Sequence, residues 1–192
     1  MKSPLVTMTL LFAILPALGL PAGSLERQHG AHVHGQAYGT LAVDEGRVSL
    51  SLVFPGMNLV GFEHAPRDDA QRARLRSVRQ ALESGAWLEL DPGGDCRVER
   101  LDLAMPGFGD DRVHDHDHDH DHDGHGDHHD HEHAEFHLEL GVECSRPDRL
   151  AWIALDLFDA FPANEEVRID VLTDTLAERV RLTATNSRIR LR

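Results

Sequence analysis

Between Asp110 and His133 the chain reads DDRVHDHDHDHDHDGHGDHHDHEH, a near-alternation of imidazole and carboxylate. Eleven of the fifteen histidines fall between His114 and His137. Neutral imidazole is a borderline-soft nitrogen donor suited to zinc, copper, nickel and cobalt. The interleaved carboxylates add hard oxygen donors and a negative field that draws divalent cations in. Ten acids and one arginine in this stretch carry nine of the fourteen net negative charges of the chain. The loop ligands are His114, His116, His118, His120, His122, His125, His128, His129 and His131. Alternation would place histidines on one strand face and acids on the other. Neither face has apolar surface to offset the entropy of ordering, so the tract is expected to be a disordered insert without metal. A flexible strap can still gather three or four imidazoles around an ion. Several zinc ions per chain are therefore expected, and composition leaves copper, nickel and cobalt open.

Four histidines lie outside the tract: His29, His32, His34 and His64. His32 and His34 stand two apart at the head of a strand-like segment, where both project to one side about 6.6 Å apart at Cα. The stretch Phe62-Glu63-His64-Ala65-Pro66 adds a histidine and a carboxylate in a loop whose Pro66 biases Ala65 toward extended geometry. Beyond the tract, His133, Glu135 and His137 alternate with the apolar Phe136, Leu138, Leu140 and Val142, the pattern of a strand with one buried face. If the first strand and this one are neighbours, three nitrogens and one oxygen could meet around tetrahedral zinc.

At these residues the sequence resembles the ZrgA-type periplasmic zinc-uptake proteins. The likeness rests on AHVHG at Ala31 to Gly35, GFEHAP at Gly61 to Pro66, Cys96, the His133-Ala134-Glu135 exit from a histidine-rich insert, Cys144, and LFDAFP at Leu157 to Pro162. It spans nearly all of the mature chain. The resemblance implies a zinc-binding protein that supports high-affinity import by an ABC transporter, working with its solute-binding component. By motif it implies His32, His34, His64, His133 and Glu135 as ligands. His137 joins this folded-site set on strand alternation alone.

The scaffold that carries these residues is expected to be exported. Met1-Lys2, the apolar run Leu5 to Leu20 and Ala17-Leu18-Gly19 form a secretory signal over residues 1–19, with cleavage placed between 19 and 28. The mature chain is expected to be soluble, with no membrane span, and periplasmic if the source is a Gram-negative bacterium. Cys96 and Cys144, an even count in an oxidising compartment, read as one disulfide, with two zinc thiolates as the competing reading. Such a bridge would close the loop that holds the tract, contribute roughly 4 kcal/mol by loss of unfolded-chain entropy, and pin both ends of the tract to the body.

Residues 29–192 are expected to form a single metal-binding domain with 110–133 as its flexible loop. His34 to Asp44 and Arg47 to Phe54 alternate around Glu45-Gly46, a hairpin pattern. Asp68 or Asp69 caps an amphipathic helix whose Leu75, Val78 and Leu82 form its apolar side and which stops at Gly85. The arginines at 72, 74, 76 and 79 make its solvated face. Further strands are expected at Trp87–Leu90, Cys96–Leu103, Glu135–Cys144, Leu150–Leu157, Glu166–Thr173, Ala177–Thr185 and Arg188–Leu191. The fold class is α+β: a mainly antiparallel sheet domain with one principal amphipathic helix and the long His/Asp insert. Trp87, Trp152, Phe158 and Phe161 are packing residues.

The acidic balance disfavours nucleic acid, which needs Lys or Arg stripes. No HExxH, no GxSxG and no nucleophile with a recognisable base is present, so the chain is not read as an enzyme. A zinc accessory or metallochaperone is the leading function. A metal buffer or detoxification protein for zinc, copper or nickel is the alternative, since imidazole sites favour copper.

Overall fold

The first hairpin forms where the alternation places it. Strand β1 (Gln36–Asp44) pairs antiparallel with β2 (Arg47–Pro55), and Asp44 faces Arg47 across the turn. Glu45 and Gly46 both take positive φ, 45° and 87°, as a two-residue turn matched to strand twist requires. The computed structural model describes residues 33–109 and 133–192. The signal segment, His29, His32 and the loop histidines from His114 to His131 lie outside the described residues. All those described belong to one compact unit, and none of their helices is long and apolar enough to cross a membrane.

After β2 come a single helical turn, α1 (Gly56–Leu59), and the helix α2 (Asp69–Glu83). Asp68 caps α2 by accepting the Gln71 N–H at 2.8 Å, and Gln71 Oε1 accepts the Arg67 N–H at 2.7 Å. This reciprocal exchange holds the helix start. Val78 and Leu82 are buried, while Gly85, at φ 67°, turns the chain out of the helix. Arg74 does more than face solvent: its Nη2 donates to the Leu59 carbonyl at 3.0 Å and ties α2 to α1.

The remaining strands are β3 (Leu88–Leu90), β4 (Cys96–Ala104), β5 (Glu135–Cys144), β6 (Trp152–Leu155), β7 (Glu166–Leu172), β8 (Ala177–Leu182) and β9 (Arg188–Arg190). They build a six-stranded sheet in the order β4-β5-β2-β1-β7-β8 and a three-stranded sheet in the order β3-β6-β9. Among the described residues every strand pairing is antiparallel but one: β1 runs parallel to β7. Strand period puts Leu50, Leu52 and Phe54 of β2 and Phe136, Leu138 and Leu140 of β5 on the buried face, in one core cluster with Val78, Leu82, Ile153 and Leu155. Trp87, Phe158 and Phe161 are buried, whereas Trp152 is half-buried under the Arg188 guanidinium.

One condition set by the sequence is not met, and one expectation needs correction. β1 and β5 are not neighbours, because β2 lies between them, which sets them about 9.6 Å apart at two strand spacings. The disulfide Cys96–Cys144 is formed, joining residues directly opposite in the β4–β5 ladder. It does not hold the ends of the tract, however. The tract leaves from the other end of that ladder, where Ala104 faces His137. Cys144 is nine residues from Glu135 along β5, roughly 30 Å at strand rise. Backbone bonds clamp the exit instead: the Glu135 N–H donates to the Pro106 carbonyl at 3.0 Å and the Gly56 N–H to the Ala134 carbonyl at 2.8 Å.

Candidate metal centre

Strand directions bring the chemistry to one end of the large sheet. β1, β5 and β7 begin there, and β2 and β4 end there. The end therefore collects the His34 turn, the loop after β2, the exit of the tract and the segment before β7. The opposite end has the Glu45-Gly46 turn and the disulfide.

The loop after β2 is anchored by its aromatic residue. Phe62 is buried, meeting Phe108 edge-on with ring centroids 5.8 Å apart, and Phe108 in turn lies 4.9 Å from Phe136. This chain of rings fastens the loop to the segment after β4 and to the start of β5. Gly107, at φ 81°, permits the close passage, since a Cβ there would stand 2.7 Å from Ala134 Cα.

Next to Phe62, Glu63 reaches between two imidazoles. Its Oε2 lies 3.0 Å from His133 Nδ1 and its Oε1 3.6 Å from His34 Nε2. The carboxylate is only 11% exposed, against 63% for His34 and 61% for His133. The loop thus spans the gap that β2 opens between β1 and β5. Oε1 has no hydrogen-bond partner among the described residues, and 3.6 Å is beyond hydrogen-bond range. Two donors at 2.0–2.1 Å from tetrahedral zinc stand about 3.3–3.4 Å apart, so His34 Nε2 and Glu63 Oε1 are spaced nearly as two zinc ligands are. The 3.0 Å contact has the other form that suits a metal site: an imidazole N–H held by a carboxylate leaves the remaining ring nitrogen to coordinate.

The other folded-site residues are placed as follows. His64 stacks on Phe62 with centroids 5.2 Å apart, and its Nδ1 lies 2.8 Å from the Ala65 carbonyl. A ring nitrogen meets a carbonyl only as a donor, so in a neutral ring so held Nε2 is the nitrogen with the lone pair. Glu135 is buried and pairs with His137 across one strand repeat, Oε2 to Nε2 at 2.5 Å. This is the outward face of β5, where Glu139 also accepts from Ser51. His34, Glu63 and His133 come together, while Glu135 and His137 form a second pair. Among the described residues no group of three or more His, Cys, Asp and Glu side chains stands in metal-holding array.

The sequence pattern names Glu63 as a carboxylate of this loop but leaves it out of the candidate ligand set, whereas the structure sets it between His34 and His133. The signal that could have found it is Phe62: a buried aromatic at one position turns its neighbour to the opposite side.

Residues 31–191 match the family described as ZrgA family zinc uptake protein. Among curated proteins none matches the chain significantly. The family's members are non-catalytic zinc-uptake accessories that work in the periplasm. With the match covering residues 31–191, this chain belongs to the ZrgA family of zinc uptake proteins.

Proposed function

We propose that the protein captures zinc in its His/Asp tract and holds one ion at an ordered site for delivery to import machinery. The observation that supports this reading is the 3.6 Å approach of His34 Nε2 to the buried Glu63 Oε1, at the sheet end from which the tract departs. Glu63 and His34 supply two donors. His133, the last histidine of the tract and the residue oriented by Glu63, is the point at which ions gathered by the strap would reach the body. His64 and His32 complete the candidate set; Glu135 and His137 serve it as a neighbouring pair. Zinc is cargo here, so an incomplete shell that a partner's ligands can finish suits release better than a closed cage of four protein donors. The proposed recipient is the solute-binding component of a zinc ABC transporter.

Calorimetric zinc titration with native mass spectrometry, on the mature chain with and without residues 110–130, tests the reading. One tight zinc should survive the deletion and several weaker ones should disappear. Loss of all tight binding in a deletion that still folds would overturn the ordered site. Induction of synthesis by zinc starvation supports acquisition, and induction by metal excess supports buffering.

A further inference from the structure

The turn that carries His34 is held from several directions. The Gln36 N–H donates to the Val33 carbonyl at 3.0 Å, and Gly35 takes φ 82°, the geometry of a type II turn with His34 and Gly35 at its centre. The Gly35 carbonyl accepts the N–H groups of Glu165 and Glu166 at 2.8 and 2.9 Å. Its own N–H donates to Asn58 Oδ1 at 2.8 Å. The same Asn58 donates through Nδ2 to the Gln36 carbonyl and to Asn164 Oδ1, each at 3.0 Å. One side chain therefore joins the HVHG turn, the segment leading to GFEHAP and the loop after LFDAFP.

Both amides are deeply buried, Asn58 at 2% and Asn164 at 1% exposure. Asn164 Nδ2 has no hydrogen-bond partner among the described residues. An unsatisfied buried donor opposes folding, so an apolar residue would serve simple packing better. What Asn164 contributes is the acceptor that orients Asn58.

We propose that Asn58 is the positioning residue that sets His34 opposite Glu63. It lies in α1, five residues before Glu63 on the same short segment, and it grips the backbone on the C-terminal side of His34. The inference rests on reading His34 and Glu63 as two zinc donors, because their 3.6 Å spacing is what the amide fixes. Displacement by about 1 Å would take the pair outside the separation that one tetrahedral ion can span.

The test is solution NMR on the full mature chain, with Asn58→Leu compared against Val142→Ala. Val142 is buried near the disulfide end of β5, so its truncation lowers stability far from His34. In the native protein the His34 ring should show a nuclear Overhauser contact to the Glu63 side chain and should shift with added zinc. Asn58→Leu should lose the contact and need at least tenfold more zinc for half the shift. Val142→Ala should keep both while melting earlier. Should Asn58→Leu fail to fold, Asn164→Ala removes one partner of Asn58 and should weaken the contact in a folded chain. An unchanged contact in whichever of the two amide variants folds, or equal loss in Val142→Ala, overturns the proposal. A native contact without any zinc response would instead sink the zinc reading, and the contact alone would then decide the role of Asn58.

Discussion

Replacing Glu63 with glutamine should move zinc affinity and stability in opposite directions. The carboxylate is 11% exposed, and its Oε1 is buried without a hydrogen-bond partner among the described residues. A neutral amide of the same shape removes the cost of keeping that charge away from water, which runs from about 1 kcal/mol upward for poorly compensated groups. The metal-free protein should therefore hold its stability or gain on the order of 1 kcal/mol. For a chain of this size that is a rise in Tm of about 2–4 °C.

Zinc binding should weaken by 10–100-fold even if the carboxylate only orients His133, as losses of such partners typically do. That is about 1.4–2.8 kcal/mol, and more if Oε1 is itself a ligand. Thermal melts of the metal-free protein and competitive zinc titration against a chelator read the two effects separately. A glutamine variant that melts several degrees lower yet binds zinc as the native chain does would refute the reasoning, because Glu63 would then be a structural carboxylate.

Freshly purified, unreduced protein should show no thiol reactive to maleimide after denaturation. Reduction of Cys96–Cys144 should cost about 4 kcal/mol of stability while leaving the tight zinc affinity unchanged, since the bridge is at the far end of the sheet. A large loss of affinity on reduction in a folded chain would contradict that placement. Gly35→Ala should destabilise the chain by more than 1 kcal/mol, read by urea denaturation, because it forces a side chain into φ 82°; an unchanged midpoint would argue against the turn. Stability should also fall in acid. Burial raises Glu166, but hydrogen bonds and charge from Arg168 and Arg181 outweigh it and hold the carboxyl below its ordinary 4.5; a hydrogen bond and charge from Arg179 depress Asp170. A depressed carboxylate stabilises fully above its ordinary value and loses that contribution as pH drops through the folded one, so Glu166→Gln should flatten the stability curve below about pH 4.5. An identical slope in the variant would count against the Arg168–Glu166–Arg181 cluster.

Elements were legible where local chemistry decides them. The hairpin turn at Glu45-Gly46, the Asp68 cap and the Gly85 stop each depend on a few adjacent residues, and β5 begins and ends at Glu135 and Cys144 as its alternation predicts. What could not be seen was long-range pairing. The parallel pair of β1 with β7 carries no local signature, because the two strands are joined through most of the domain. Its consequence is large: parallel strands start at the same end, so Asn164 and Glu165 arrive beside Gly35. Likewise nothing in the separate patterns of β1 and β5 shows that β2 stands between them.

That inserted strand changes what the histidine motifs mean. Had β1 and β5 paired directly, His34 and Glu135 could have met across the ladder with no help from a loop. Separated by two strand spacings, they need a bridge, and the loop after β2 provides it because β2 ends at the very edge where β1 and β5 begin. GFEHAP is then a connector whose buried Phe62 sets Glu63 between His34 and His133. The tract enters the same logic from the other side. Backbone bonds at Pro106 and Ala134 hold the described residues on either side of it, far from the disulfide, and His133 is where the chain rejoins the body. A long insert closed at that point costs little in loop entropy, which grows only logarithmically with length. The tract can therefore vary in length or histidine number without moving the donors on the body, whereas a one-residue change between Asn58 and Glu63 would displace the carboxylate itself.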